Sequence, residues 1–441
     1  MVEPTYAEVG FKELQEDSPL HLLPREILDA ILEYLDPLSM VRLSCTCALF
    51  YNIVNQAAKW RTWAIKIAEN SRMPHLSSTF LHFGVSLKPV LPAHEDDSDI
   101  LWRKIFYCMQ FWSMIKKWNY RLTYETCVEN DDITTVEIAG QDIVFGTCHG
   151  GLGLWNPDES EDLQVLHRFK CEVLTVLVRF SDKLPSYQII TKCKNRLICL
   201  YDLAENTAHH LRTSHVTGGI SFSQNEDVFY EWDPDRGILF HMSIKNKSVT
   251  KLIQFPQLPF HPVVTVCGDG ELQSPFDKAQ VSTHVAVSRH KGPVVVKHFE
   301  SLSGQISQRC DEILEDSNFC IYKAYIWPGK ISFSITGSSL TILTVGYKFR
   351  KIRWPSCRCT SAFLFGNIFI VGTDTGTILC YTFKSPADLL NLEPENYRTK
   401  IETESSESLM YVGIRAQNEI HPFPDIVAAT TSKLFCFRAF N

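Results

Sequence analysis

LPREILDAILEYLDPLSMVRLSCTCALFYNIVNQAAKWRTW, residues Leu23 to Trp63, breaks into short amphipathic segments with abrupt stops. Pro24 fits the first turn of a helix, where a missing N–H costs nothing. Ile27, Leu28, Ile31, Leu32 and Leu35 then recur at spacings that lay a broad apolar face along one helix. Asp36-Pro37 ends that helix and can start the next, the aspartate as cap and the proline as first helical residue. Leu38, Val41 and Leu43 give the second helix its apolar side. Phe50, Ile53 and Val54 supply a third, and Trp60, Trp63 and Ile67 a fourth. A block of roughly 40 residues buries too small a share of its surface to enclose so many large apolar groups. The surplus face calls for a partner outside the block.

Around this block lies a chain of 441 residues, long enough for two or more units. A hydrophobic content of 45% and a charged content of 21% are those of an ordinary globular protein. The net charge of −7 argues against a broad phosphate-binding surface. The 15 cysteines are scattered and none has Cys-x-x-Cys spacing, which argues against paired zinc knuckles. The N-terminus is acidic (Glu3, Glu8, Glu13) and lacks the apolar segment of a signal peptide. No apolar run approaches the ~20 residues needed to cross a bilayer. The expectation is a soluble protein of a reducing compartment, cytoplasm and/or nucleus, with mostly buried free thiols.

Taken in order, residues 1–18 read as a flexible segment, 19–69 as the helical block, and 70–119 as a linker with a helical spacer from Asp99 to Trp118. Residues 120–441 change texture: strand-like runs of five to eight residues recur, separated by turn chemistry. Tight turns fall near Gly150, Asn195, Gly237, Gly292, Ser338, Gly376 and Ser432, at separations of 45, 42, 55, 46, 38 and 56 residues. That period, with several strands per unit, predicts a β-propeller, seven units giving seven blades with six or eight as alternatives. The strands after these turns align as GLGLWN, RLICLYDL, GILFHMSI, GPVVVKHF, SSLTILTV, GTILCYTF and SKLFCFRAF. The last unit lacks a fourth strand, and Arg121 to Val128 lacks any other partner. Pairing the two leaves no open edge. Two insertions stand out, Gly268 to Gln280 inside the fourth unit and Ser385 to Glu407 between the sixth and seventh.

Little in the sequence points to catalysis. Clustered Cys and His at metal spacing, a Gly-x-Ser-x-Gly elbow and a P-loop are all missing. GTCHGGLG joins strand to strand, so it reads as a turn and not as a phosphate cradle. Cys193, Cys199, Cys380 and Cys436 fall in strands and fit core packing. His209, His210 and His215 read as exposed strand and loop residues rather than a metal set, and no cofactor is expected. KFRKIR, Lys348 to Arg353, falls on an outer strand, where charges deter edge-to-edge pairing. Basic residues recur at the tight turns: His149, Lys194, Arg196, Arg236, His290, Lys291, Arg358 and Lys433. They form either a receptor for a phosphorylated peptide or, the reading favoured, ordinary solvated turns.

The helical block resembles the F-box, whose pattern runs Leu-Pro-x-Glu-Ile-Leu, then Ile-Leu-x-x-Leu, then Pro and Leu-Ser-x-x-Cys. The matching residues are Leu23, Pro24, Glu26, Ile27, Leu28, Ile31, Leu32, Leu35, Pro37, Leu43, Ser44 and Cys47, with Trp60 as the late tryptophan and Phe50 where a tryptophan is usual. The strand-rich part resembles WD-repeat propellers, with Trp155-Asn156 and Tyr201-Asp202 ending two third strands in their manner. The combination is similar to the F-box/WD-repeat family: a small all-α F-box and helical linker followed by an all-β propeller. It implies a non-catalytic substrate receptor of a Skp–cullin–F-box ubiquitin ligase. Leu23, Pro24, Glu26, Ile27, Leu28, Ile31, Leu32, Leu35, Pro37, Leu38, Leu43 and Trp60 would then serve the Skp adaptor, and through it cullin and RING subunits. The propeller would hold a protein substrate, its basic turns would form the top face, and both insertions would project from the bottom. Nucleic acid and membrane are not expected partners. The alternative is a scaffold that binds the adaptor without promoting ubiquitination.

Overall fold

The structure, a computed structural model, describes residues 23–35, 37–44, 46–55, 60, 63, 119–160, 162–180, 187–203, 205–213, 220–222, 228–233, 238–243, 249–254, 263–270, 281–288, 294–302, 305–314, 321–327, 331–336, 339–343, 349–365, 368–383, 386–415 and 425–440. The expected flexible segment, the linker with its spacer helix, His215, Arg236, His290 and Lys291 lie outside these residues. The chain divides into two compact units, one holding the N-terminal helices and one the sheets.

The first unit contains α1 (Arg25–Tyr34), α2 (Pro37–Ser44) and α3 (Ala48–Asn55). Pro24 precedes α1 in an extended conformation, and its carbonyl accepts the N–H groups of Ile27 and Leu28 at 3.0 and 3.2 Å. Glu26 in the first turn suits the positive end of the helix dipole. Leu35 leaves the helix in an extended conformation, which stops α1 just before the Asp-Pro step. Thr46 closes α2, its N–H and its hydroxyl both donating to the Leu43 carbonyl at 3.0 and 2.7 Å. Leu28, Leu32, Met40, Phe50, Ile53, Val54 and Trp60 are buried.

Among the described residues, the second unit holds seven four-stranded antiparallel sheets. In chain order, β1 (Asn119–Cys127) is followed by the first sheet, β2 (Ile133–Ala139), β3 (Asp142–Thr147), β4 (Gly151–Trp155) and β5 (Gln164–Arg168). The second holds β6 (Val173–Phe180), β7 (Tyr187–Cys193), β8 (Leu197–Asp202) and β9 (Thr207–Thr213). The third holds β10 (Ile220–Phe222), β11 (Val228–Asp233), β12 (Ile238–Ser243) and β13 (Val249–Gln254). The fourth holds β14 (Val263–Gly270), β15 (Val281–Ser288), β16 (Val294–Leu302) and β17 (Gln305–Leu314). The fifth holds β18 (Ile321–Trp327), β19 (Ile331–Thr336), β20 (Ser339–Leu343) and β21 (Phe349–Ile352). The sixth holds β22 (Cys359–Phe365), β23 (Ile368–Thr373), β24 (Thr377–Thr382), a short helix α4 (Pro386–Leu389) and β25 (Thr399–Glu402). The seventh holds β26 (Tyr411–Arg415), β27 (Asp425–Ala429) and β28 (Lys433–Phe440), and is completed by β1.

Each of the seven aligned sequence runs forms the third strand of its sheet. The expected pairing of Arg121–Val128 with the last unit is present: β1 runs antiparallel to β28, from Asn119 opposite Phe440 to Cys127 opposite Lys433. Lys348 to Arg353 does contain an outer strand, β21. The segment 385–407 departs from expectation, because it carries β25, the fourth strand of the sixth sheet, as well as added length. Arg350 on β21 holds the added part, donating to the Leu390 carbonyl and the Glu393 carboxylate, both at 2.7 Å.

Burial explains the strand composition. β3 (DIVFGT), β23 (IFIVGT) and β27 (DIVAA) are covered on both faces and read as continuous apolar runs, whereas β5 is largely exposed. The sheets pack face to face through apolar clusters. Ala139, Val144 and Leu152 meet Val173, Val176 and Ile189, and Ile143, Phe145 and Trp155 meet Val427, Leu434 and Cys436. First strands lie beside first strands: β2 beside β6, β6 beside β10, β10 beside β14, and β14 beside β18. β26 of the seventh sheet lies beside both β22 of the sixth and β2 of the first. Gly146 permits one such approach, since a Cβ there would stand 2.5 Å from a Val173 methyl. The same device recurs in the threonines: Thr134 Oγ1 donates to the Val173 carbonyl of the next sheet at 2.5 Å, and Thr360 Oγ1 to the Leu409 carbonyl at 2.7 Å.

Candidate functional site

On α1 the apolar face divides in two. Leu28 and Leu32 are buried, 4% and 3% exposed, while Ile27, Ile31 and Tyr34 stand out at 48%, 39% and 91%. Spacings of four and three residues put these exposed groups on one stripe of the helix. Pro24 and Glu26 are exposed, and Leu23, Leu35 and Leu43 half-buried; the side chains of Pro37 and Leu38 are outside the described set. Trp60 is fully buried, donates its indole N–H to the Val54 carbonyl at 2.6 Å, and meets Trp63 edge to face at 5.2 Å. Val54 lies in the last turn of α3, so the indole satisfies one of the carbonyls a helix end leaves open.

In the sheets, the turns between second and third strands are tied to the links that enter the first strands. The N–H of Cys148 donates to the Asp132 carbonyl at 2.8 Å, that of Lys194 to Glu172 at 2.9 Å, and that of Asp374 to Arg358 at 3.0 Å. Charges repeat the tie. Lys194 meets Glu172 at 2.8 Å, Arg358 meets Asp374 at 3.6 Å and His149 Nδ1 lies 2.9 Å from Asp131, whereas Lys433 pairs with Glu125 on β1, the neighbouring strand of its own sheet. Arg196 is exposed at a left-handed turn position, φ 70°. The basic turn residues are thus not a ring of bare cations among the described residues. Asp131 Oδ1 also accepts the His149 N–H at 3.0 Å and faces the Cys148 thiol at 3.1 Å. Partial burial would raise its pKa, but hydrogen bonds from Thr147, Cys148 and His149 outweigh this and lower it to about 2.

At the opposite strand ends lies a charge network that the sequence reading did not find. Arg415 closes β26, is fully buried, and donates to Asp425 at 2.8 Å, to Asn156 at 2.8 Å, to Asp158 at 2.6 Å and to the Gln141 carbonyl. Arg438 reaches the same two carboxylates, Asp158 at 2.6 Å and Asp425 at 3.2 Å. Burial works against the Arg438 charge, yet the two carboxylates raise its pKa. Gln141, Asn156 and Asp158 belong to the first sheet and its turns, and the other three residues to the seventh. Asn156 passes the contact on to Asp142 at 3.0 Å, and Asp142 accepts from Tyr187 of the second sheet at 2.8 Å. A second buried pair, Lys192 with Glu231 at 3.0 Å, joins the second and third sheets.

Residues 20–62 match the F-box domain family. Residues 20–62 are an F-box domain. F-box domains bind Skp adaptors, and at the level of the family they point to substrate recognition in Skp–cullin–F-box ubiquitin ligases, in receptor rather than catalytic subunits. A crystal structure of Chaetomium thermophilum Raptor is similar to this chain, with a TM-score of 0.55 and 11% identity, covering 81% of this chain and 33% of that one. The chain thus spans about a third of the length of that structure, and the likeness is one of fold. No curated protein matches the chain.

Within the F-box, the residues expected to serve the adaptor therefore fall into two groups. Pro24, Glu26, Ile27 and Ile31 present themselves at the surface, whereas Leu28, Leu32 and Trp60 act from the interior by holding the helices in place. Of the four strand cysteines, all are buried, and burial pushes the thiols of Cys193 and Cys380 up to about 12 and that of Cys199 to about 11. His209 on β9 pairs with Glu205 just before that strand at 3.4 Å, both side chains exposed.

Proposed function

We propose that the chain is the substrate-recognition subunit of a Skp–cullin–F-box ubiquitin ligase, acting in the cytoplasm or nucleus. The F-box docks on the Skp adaptor, and the seven sheets form a seven-bladed, WD-repeat-like propeller that holds a protein substrate. The observation that carries this reading is the stripe of Ile27, Ile31 and Tyr34, apolar and aromatic groups left at the surface of a matched F-box. Burying such groups against a partner is worth roughly 1.5–3 kcal/mol for each large side chain. The propeller reading is supported by first strands that neighbour one another in chain order, by β26 lying beside β2, and by β1 completing the last sheet. Catalysis would then be proximity: a substrate lysine held close to the ubiquitin donor reacts as if at high local concentration.

Capture of the full chain by purified Skp adaptor tests the docking half. Ile27→Asp and Ile31→Asp place a charge on the surface stripe and are expected to abolish capture while the far-UV dichroism of the strands stays unchanged. Capture equal to the unaltered chain would refute the docking face. Leu28→Asp also loses capture, but through collapse of the F-box, visible as lost helix signal, because Leu28 is buried.

A further inference from the structure

The turn between β3 and β4 differs in chemistry from its counterparts. In the second and sixth sheets the corresponding contact is an ordinary pair of opposite charges, Lys194 with Glu172 and Arg358 with Asp374, and in the seventh Ser432 donates to the Glu407 carboxylate at 2.9 Å. In the first sheet the cation is replaced by a thiol and an imidazole. Cys148 Sγ lies 3.1 Å from Asp131 Oδ1 and 3.3 Å from His149 Nδ1, and His149 Nδ1 lies 2.9 Å from Asp131 Oδ1. Three different donor atoms thus form one small triangle. It is the one such group of Cys, His and acidic side chains among the described residues.

Two roles suit a Cys–His–Asp set, and geometry separates them. A nucleophilic relay needs the thiol on one ring nitrogen and the carboxylate on the other, so that the base is oriented from behind. Here the same nitrogen, Nδ1, faces both partners. Convergence of sulfur, nitrogen and oxygen on one point is instead the arrangement of a metal ligand set. Zinc bonds of ~2.0–2.3 Å place neighbouring tetrahedral donors ~3.3–3.7 Å apart. Each side of the triangle needs to open by roughly 0.2–0.5 Å, the short nitrogen–oxygen side included, to admit an ion. The backbone already fixes it, because the His149 N–H on Asp131 and the Cys148 N–H on the Asp132 carbonyl lock the turn against the strand entry.

We propose that Asp131, Cys148 and His149 bind a borderline-soft divalent cation of the zinc class, with the carboxylate, the thiolate sulfur and Nδ1 as ligands and water in the fourth position. The side chain of His149 is 70% exposed, so the open position faces solvent. Binding releases the thiol proton to solvent and moves the imidazole proton to Nε2. The bound ion replaces the hydrogen bonds that Asp131 makes to both side chains and ties the entry of β2 to the β3–β4 turn. A mixed sulfur, nitrogen and oxygen set favours zinc over calcium or magnesium, which take oxygen ligands.

Titration of the tag-free full chain, co-purified with the Skp adaptor, with Co²⁺ tests this. Cobalt stands in for zinc and reports its own ligands in the visible and near-ultraviolet spectrum. The expected result is one equivalent bound, with tetrahedral ligand-field bands and a sulfur-to-metal charge-transfer band, both displaced by Zn²⁺. Cys148→Ser should lose the charge-transfer band, and both it and His149→Gln should weaken binding by more than the ~10–100-fold that loss of an outer-shell partner costs. Neither side chain is buried, so both variants should keep the metal-free unfolding midpoint of the parent. The chain holds 15 cysteines, so thiol binding elsewhere is a real competitor. An unchanged spectrum in Cys148→Ser or in His149→Gln, or no stoichiometric binding in the parent, would overturn the proposal.

Discussion

Arg415→Met is the substitution that asks most of the sheet unit. It removes a fully buried guanidinium that donates to four acceptors, two of them the carboxylates of Asp158 and Asp425. Asp425 is itself fully buried, so its charge cannot recover its lost partner from water. Removing one member of a buried ion pair typically costs ~3–5 kcal/mol. Arg438 remains on both carboxylates, at 2.6 Å from Asp158 and 3.2 Å from Asp425, which places the expected loss near the lower end, about 3 kcal/mol. That is about a hundredfold in the folding equilibrium. Urea unfolding followed by far-UV dichroism reads it directly, and hydrogen exchange should quicken first in β1 and β28, the strands contributed by the two ends of the sheet unit. Adding Asp425→Asn removes the stranded charge, so the double variant should be more stable than the sum of the single losses by ~1–2 kcal/mol. An Arg415→Met protein within about 0.5 kcal/mol of the parent, the range of an inert surface change, would refute this account of how the first and seventh sheets are joined.

Trp60→Phe keeps the ring in the F-box interior but leaves the Val54 carbonyl without its indole donor, and should lower the stability of the helical unit by about 1 kcal/mol in thermal denaturation. Gly376→Ala should destabilise the sheets by more than ~1 kcal/mol, since φ is 72° and the new Cβ would stand 1.8 Å from the Ser405 carbonyl oxygen; no change in the urea midpoint would mean the turn relaxes freely. Desolvation pushes the carboxyl of Glu137, half-buried on β2, from its ordinary 4.5 up to about 7, against a weaker opposing hydrogen bond from Ile138. The folded state therefore holds this proton more tightly: its contribution is fully present below about pH 4.5 and is lost as pH rises through about 7. Glu137→Gln should accordingly gain stability over the parent between pH 5 and pH 8, by no more than ~3 kcal/mol, and a pH-independent difference would contradict the burial.

The first three helices and most described strands were legible because their signals are local. A helix face repeats every three to four residues, a buried strand is a short apolar run, and a turn announces itself with glycine, asparagine or serine. Even the β1–β28 pairing followed from counting, because three strands at the chain end and one spare run at the sheet unit's start leave one economical solution. Periodicity could not decide which part of a broad apolar face turns inward: Ile27 and Leu28 are neighbours on α1, and the structure buries only the second. It also missed β25, whose four residues TKIE carry two charges; an edge strand needs only one neighbour and little apolar surface. The Arg415 network was beyond reach for a different reason. Its partners Asp158 and Asn156 are more than 250 residues away in sequence, so nothing near any one of them marks it as buried.

That kind of pairing also bears on what the proposed receptor can select. A phosphate group carries about two negative charges and gains most where bare guanidinium or ammonium groups await it. At Lys194, Arg358 and Lys433 a carboxylate already occupies that place, and at His149 Asp131 does. A phosphorylated peptide would have to displace an acid from each of them, exchanging one charge-assisted contact for another with little net gain at an exposed site. The pairs at Lys194, Arg358 and His149 also hold the turns to the strand entries, so displacing them would loosen the face that the phosphopeptide would have to bind. The charge on these turns is therefore better accounted for as a set of struts. If the proposed receptor uses this face, discrimination between substrates would fall to the shape and hydrogen-bonding of the turn backbones and to side chains outside the pairs, such as Arg196, exposed at its left-handed turn.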